Sequence, residues 1–254
     1  MPLTSHRETD AEFATRLAIE AGQLLVELRA EMFAQGSNQW DVKDAGDAIA
    51  QEFLAAELHR HRPDDAVLSE EEGQTDRRRF DSDRVWIIDP LDGTREFSEP
   101  GRDDWAVHVA LWERDAFGAA AVSLPALKAV FATDPAPPIP PVTRERPRLI
   151  TSRSRAPYSA ILVAEGLDAD AVRLGSAGAK AMAVVMGHAD IYVHDGGMFQ
   201  WDSAAPAAVA MAAGFHASRL DGSPLVYNER DPWLPDFILC RPELAEAVLK
   251  AIWG

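Results

Sequence analysis

Val85-Trp-Ile-Ile-Asp-Pro-Leu-Asp-Gly-Thr-Arg-Glu-Phe97 is the stretch from which the fold of this chain can be worked out. Val85 to Ile88 is apolar, β-branched and aromatic, the content of a buried strand. Asp89-Pro90 is expected to stop it, because Pro90 cannot continue the ladder and biases Asp89 toward an extended conformation. Leu91-Asp92-Gly93-Thr94 then has the form of a tight turn, with Gly93 free to take positive φ. Asp89 and Asp92 would sit together where a strand leaves the core, and two such carboxylates repel unless they share a cation or a proton. Hard cations such as Mg²⁺ favour this kind of oxygen cage. Taken alone, the same residues also describe an ordinary capped strand end with two solvated aspartates.

The composition narrows the surroundings. The chain has 254 residues, 47% of them hydrophobic and 26% charged, enough for one large domain or two smaller ones around a real core. Met1 to Asp10 is polar, so no signal peptide is expected, and no apolar run approaches a membrane span. The one cysteine, Cys240, lies in an apolar run and fits a core residue in a reducing, cytoplasmic setting. A net charge of -16 without a basic stripe excludes nucleic-acid polymers as partners. Arg77-Arg78-Arg79 is followed by acids and is expected to be a solvated loop. An acidic protein can still take a small anion where bound metal inverts the local sign.

Upstream of the central stretch, Thr9-Asp-Ala-Glu12 is a capping box, and apolar residues at helical spacing extend a helix to about residue 33. Gly36-Ser-Asn38 ends it, and a second helix is expected from Asp44–Asp47 to just before Pro63. A short strand, residues 66–69, delivers Glu70-Glu71-Glu72, and residues 74–84 are expected to be a charged loop. Downstream, residues 105–112 read as a central strand, with further strands at 117–124 and 127–132. Six prolines crowd residues 133–147 and mark a connector, 135–147, between an N-terminal α+β domain, 1–134, and a C-terminal domain, 148–254. In the latter, strands at 148–151, 171–174, 189–193 and 237–240 alternate with helices at 157–165, 178–186, 202–213 and 242–252, an α/β pattern.

Three acidic stations stand out: Glu70-Glu71, Asp89 with Asp92, and Trp201-Asp202. Separately, Asp202 could be an N-cap and Glu70 to Glu72 a solvated loop. In order and with their neighbours, Ser69-Glu-Glu-Glu72, Trp86-Ile-Ile-Asp-Pro-Leu-Asp-Gly-Thr94 and Trp201-Asp-Ser-Ala-Ala205 resemble the inositol monophosphatase superfamily of Mg²⁺-dependent, Li⁺-sensitive phosphatases. The resemblance spans nearly the whole chain. It implies the layered α-β-α-β-α sandwich of the inositol monophosphatase and fructose-1,6-bisphosphatase type, and a homodimer.

By that resemblance, Glu70, Asp89 and the Leu91 carbonyl hold one Mg²⁺, and Asp89, Asp92 and Asp202 hold a second. A third, weaker ion sits near Glu70, giving two to three per site. Thr94 positions the attacking water with Asp47, although Asp44-Ala-Gly-Asp47 lacks the threonine of the family's motif. Four carboxylates against three Mg²⁺ leave about two positive charges to meet a phosphate dianion.

Arg95-Glu96-Phe97, Leu68-Ser-Glu-Glu71, Ser152-Arg-Ser154 and Gly101 to Leu111 resemble the 3'(2'),5'-bisphosphate nucleotidase (CysQ-like) branch in its actinobacterial form. That branch clears 3'-phosphoadenosine 5'-phosphate, with overlapping action on inositol phosphates and fructose 1,6-bisphosphate. The candidate substrate contacts are Asp92, Gly93, Thr94 and Asp202, with Ser152 and Arg153 for a second phosphate. Gly175-Ser176-Ala-Gly178 and Lys180 form a turn able to offer N–H groups to an anion, or equally a plain helix cap. His108 reads as a core histidine. Trp86 and Trp201 precede ligands and are expected to brace them. Two other functions fit the same motifs: an inositol-1-monophosphatase, and a catalytically silent binding relative, which would have no need of Glu70, Asp89, Asp92, Thr94 and Asp202 together.

Overall fold

The computed structural model describes residues 8–71, 77–154 and 156–254. Glu72 and the start of the expected charged loop lie outside them. Two long helices open the chain, α1 (Asp10–Ala34) and α2 (Gln39–His61). Thr9 and Glu12 close the capping box of α1. The second helix starts earlier than expected, because the Asn38 side chain accepts from the amides of Trp40 and Asp41 and caps it there. The strands β1 (Ala66–Ser69), β2 (Arg84–Asp92), β3 (Ala106–Glu113), β4 (Ala116–Leu124) and β5 (Ala129–Ala132) form one sheet in chain order, with the short helix α3 (Thr94–Ser98) between β2 and β3. Only β1 and β2 run parallel.

The rest of the chain comprises β6 (Arg148–Ser152), α4 (Tyr158–Gly166), β7 (Asp170–Leu174), α5 (Ala177–Val185), β8 (Ile191–Phe199), α6 (Gln200–Ala212), β9 (His216–Ser218), β10 (Trp233–Cys240) and α7 (Ala245–Trp253). Its sheet has the order β7-β6-β8-β10-β9, parallel through β8 and antiparallel beyond. The three-residue strand β9 had no legible pattern in the sequence, and β8 and β10 run longer than expected.

Strand periodicity stacks these parts. Trp86 and Ile88 face one way and pack with Phe13, Leu17 and Leu25 of α1 and Leu54 and Leu58 of α2. Val85 and Ile87 face the other way and join one apolar cluster with Met182 of α5, Val209 of α6, and Tyr192, Phe237 and Leu239 of the second sheet. The far side of that sheet, Leu149, Ile191, Val193, Ile238 and Cys240, is covered by Val163 of α4 and Val248 of α7. Five layers result: helices, sheet, the α5–α6 pair, sheet, helices. Each large apolar side chain so enclosed contributes roughly 1.5–3 kcal/mol. Cys240 is an inert member of this core, its thiol pushed up to about 12 by burial.

Two further local expectations change. β2 does not end at Asp89-Pro90: it runs on to Asp92 through a bulge, where Asp89 pairs with His108 and Asp92 with Ala106. Pro90 sits at the bulge, where no ladder donor is required. The basic run is solvated only in part, with Arg77 and Arg78 exposed and Arg79 buried. Residues 77–80 form a 3₁₀ turn, and buried Arg79 donates to the Asn228 side chain and to the carbonyls of Glu229 and Arg230.

Candidate active site

The bulge in β2 aims two carboxylates inward from positions three apart. Asp89 is fully buried; its Oδ1 accepts from the Leu91 amide at 3.1 Å, while its Oδ2 has no hydrogen-bond partner among the described residues. Burial, then Asp92, Glu70 and Asp202, push its pKa well above the usual carboxylate range. Asp92 behaves oppositely. Burial works against its charge, but His108, the Ser176 hydroxyl and Lys180 outweigh it and hold the group at about 2. The start of α5 supplies further support: the amides of Ala177 and Gly178 donate to Asp92 at 3.0 and 2.6 Å, and Ser176 Oγ donates as well.

Asp202 is not the N-cap of α6 but lies in its first turn, accepting from the Phe199 amide at 2.6 Å. Burial and Asp92 raise it to about 6, against that amide, His108 and Lys180. One oxygen from each of Asp89, Asp92 and Asp202 lies within 4.8 Å of the other two, so this triad can hold a metal ion. An all-oxygen donor set with one buried oxygen lacking a partner fits a hard divalent cation. Glu70, exposed at the end of β1, lies outside that cluster, yet protein atoms around its carboxylate, then Asp202, Asp47 and Asp92, raise it to about 7.

Thr94 follows Gly93, whose φ of 86° turns the chain into α3. Thr94 Oγ1 lies 3.3 Å from Asp47 Oδ1 and 3.1 Å from the Leu91 carbonyl, so its single proton serves one or the other. Burial, then Glu71, raise Asp47 to about 7, with Thr94 acting in the opposite sense.

Elsewhere the side chains are already engaged. The turn expected to offer amides to an anion gives them to the protein: Ala177 and Gly178 to Asp92, and Gly175 to Asp104 at 2.7 Å. Ser176 holds φ 50° and ψ 136°, backbone that L residues rarely adopt, and Lys180 Nζ donates back to its carbonyl at 2.6 Å. Burial lowers the Lys180 pKa. Arg153 is clamped by Glu96 and Glu99, each at 2.8 Å, and Ser152 Oγ lies 3.1 Å from Ser154 Oγ. Any phosphate reaching Arg153 must compete with those two carboxylates.

His108 is buried, but it is more than a core residue. Its Nδ1–H donates to the Trp201 carbonyl at 3.1 Å, which turns Nε2 toward Asp92 Oδ2, 3.4 Å away. Gly178 leaves room for it, since a Cβ there would come within 2.0 Å of Nε2. One imidazole thus touches both elements that carry the triad, β2 at Asp92 and α6 at Trp201. Trp201 contributes its carbonyl to that arrangement, whereas the Trp86 ring packs on the opposite face of the sheet and donates to Asp65 at 2.8 Å.

The model of the inositol monophosphatase family matches residues 6–136 and 142–254. The chain belongs to this family. A Mycobacterium tuberculosis relative of the family member described here, named 3'-phosphoadenosine 5'-phosphate phosphatase, is 53% identical over 245 residues, covering 92% of this chain and 89% of its own. A Mycobacterium leprae protein of the same name is 49% identical over 262 residues, covering 96% and 95%. The solved structure of CysQ from Bacteroides thetaiotaomicron, a bacterial inositol monophosphatase family protein, superposes with a TM-score of 0.77 at 24% identity, covering 93% of this chain and 98% of that one, and shows the shared fold.

The raised carboxyl groups of this inositol monophosphatase family protein have a thermodynamic consequence. Asp47, Glu70 and Asp202 stand at about 7, 7 and 6, above the roughly 3.9–4.3 of unfolded chains. The metal-free folded state therefore binds the extra protons. The stability these three groups contribute is fully present below about pH 4 and is lost as pH rises through 6 to 7. Calorimetry of the metal-free protein should show the thermal midpoint falling between pH 5 and pH 8. If about 2 kcal/mol survives solvent screening, the fall is roughly 4–8 °C. Saturating Mg²⁺ should raise the midpoint more at pH 8 than at pH 5; an equal rise at both would contradict these proton affinities.

Proposed function

We propose that the protein is a Mg²⁺-dependent phosphomonoesterase that hydrolyses 3'-phosphoadenosine 5'-phosphate to AMP and phosphate. The observation that carries this is the inward-facing triad Asp89, Asp92 and Asp202, in a chain about half identical to mycobacterial phosphatases named for that substrate. Glu70, Asp89, the Leu91 carbonyl, Asp92 and Asp202 would hold two to three Mg²⁺. Bound there, the ions would lower the pKa of the attacking water and stabilise the leaving oxygen.

The protein's own groups do the rest. Thr94 Oγ1 and Asp47 Oδ1 orient the water, and Asp47 is the carboxylate placed to take its proton. The water oxygen forms the new P–O bond as the bond to the 3' oxygen breaks, and that oxygen takes a proton from solvent to become the 3'-hydroxyl of AMP. Asp92 stays ionised throughout because α5, Ser176 and His108 hold it so. The same proposal includes a homodimer and a cytoplasmic setting, which rest on the family resemblance and the single buried thiol. No helix among the described residues is long and apolar enough to cross a membrane.

A phosphate-release panel over 3'-phosphoadenosine 5'-phosphate, inositol 1-phosphate and fructose 1,6-bisphosphate tests the proposal. The first should give the highest kcat/KM. Preference for inositol 1-phosphate would hand the assignment to an inositol-1-monophosphatase, and no Mg²⁺-dependent release at all to a silent binding relative. Arg153 is the candidate contact for the phosphate that stays. A charge-assisted hydrogen bond contributes about 1.5–3 kcal/mol. Competition from Glu96 and Glu99 argues for the lower end, so Arg153→Ala should cut the preference for the bisphosphate over inositol 1-phosphate about tenfold. An unchanged ratio would make Arg153 part of the Glu96–Glu99 framework only.

A further inference from the structure

The cavity that takes in Asp92, Lys180 and Asp202 encloses about 320 Å³, and its wall also includes Phe199 and Trp233. That volume falls within the roughly 300–1,000 Å³ usual for small-molecule sites. Carboxylates and Lys180 account for recognition of a phosphate and its ions. They do not account for two large rings left 38% and 45% exposed in the same cavity.

The three rings form a series. Trp201, nearly buried beside Asp202, stacks on Phe199 with centroids 4.7 Å apart and planes 11° from parallel. Phe199 meets Trp233 edge to face at 5.4 Å. The last two residues are register partners across β8 and β10, just beyond the register shift between Leu234 and Asp236. Backbone has been cleared for the indole. Gly197 holds φ +90°, and a Cβ there would fall 1.6 Å from the Trp233 ring. His194 fixes that segment by donating from Nε2 to the Gly197 carbonyl at 2.9 Å.

We propose that Phe199 and Trp233 form a base-binding subsite on which the purine of the substrate stacks while its 3'-phosphate faces the carboxylates. This rests on the nucleotidase assignment above and names residues that separate a nucleotide from an inositol phosphate. A purine offers a π face to a ring, and inositol has none. The subsite therefore discriminates without reading any hydrogen-bonding edge of the base.

Trp233→Leu keeps apolar bulk and removes the π surface. It should lower the kcat/KM ratio of 3'-phosphoadenosine 5'-phosphate over inositol 1-phosphate by about 5- to 150-fold, the range that one base-on-ring stack supplies. AMP binding, followed by calorimetry without turnover, should weaken over the same range, and ribose 5-phosphate binding should lose far less. Trp233→Tyr should restore most of the loss, whereas Gly197→Ala should reproduce it by displacing the indole. If both substrates and both ligands weaken together in folded Trp233→Leu protein, the rings only close the sheet end and the subsite is wrong. Wild-type protein that binds AMP through Trp233 but leaves the bisphosphate intact would overturn the assigned reaction and leave the subsite standing.

Discussion

Asp89→Asn is expected to reduce turnover at least about a thousandfold, roughly 4 kcal/mol of transition-state stabilisation, while raising the thermal midpoint of the metal-free protein at pH 8. The two effects have one cause. Asp89 is buried to 1% exposure, its Oδ2 has no hydrogen-bond partner among the described residues, and Asp92 lies within the same 4.8 Å cluster. An ionised carboxylate in that position is costly without an ion and indispensable with one. Asparagine keeps the shape, removes the charge and is a far weaker ligand. Circular dichroism and calorimetry would report the fold, and phosphate release at saturating Mg²⁺ the chemistry. Near-normal rates there would remove Asp89 from the metal site. A lower midpoint in the metal-free variant would show that its charge is compensated in the folded state after all.

The second large effect belongs to Thr94 and Asp47. Thr94→Val or Asp47→Asn alone should lower kcat by about 10²- to 10⁴-fold, the usual contribution of a positioned acid or base, with little change in KM. Because the hydroxyl and the carboxylate lie 3.3 Å apart and are proposed to act on one water, they form a unit. The double variant should then be no slower than the slower single variant. Losses that multiply would mean that the two side chains serve separate steps, and that Thr94 works through the Leu91 carbonyl 3.1 Å away instead.

How far the sequence reveals the fold and the site depends on whether a residue's role is set locally. Asp89, Asp92 and Gly93 lie on one short segment, so their relation could be derived from turn chemistry, and the strands around them from period-two alternation. The partners that complete the arrangement come from far along the chain. His108 looks like any polar residue in an apolar strand until β3 pairs with β2 and sets it opposite Asp89. The amides of Ala177 and Gly178 suit a free anion equally well until Asp92, 85 and 86 residues away, is seen to occupy them. Arg79 and Arg153 each looked available for solvent or ligand, and distant carbonyls and carboxylates take them up. Asn38 was legible in principle, because a helix-capping residue precedes Gln39, but Gly36 drew the expected start too far downstream.

The triad also draws on two sheets that contact one another through the α5–α6 layer. Asp89 and Asp92 come from the first, whereas Asp202 stands at the head of the helix entered from β8 of the second. An ion held by all three would act as a rivet between parts of the chain more than a hundred residues apart, absent until both have taken shape. Ligands that bind only the folded state stabilise it by mass action. Scarcity of divalent ions would therefore loosen the seam between the sheets as well as halt the reaction.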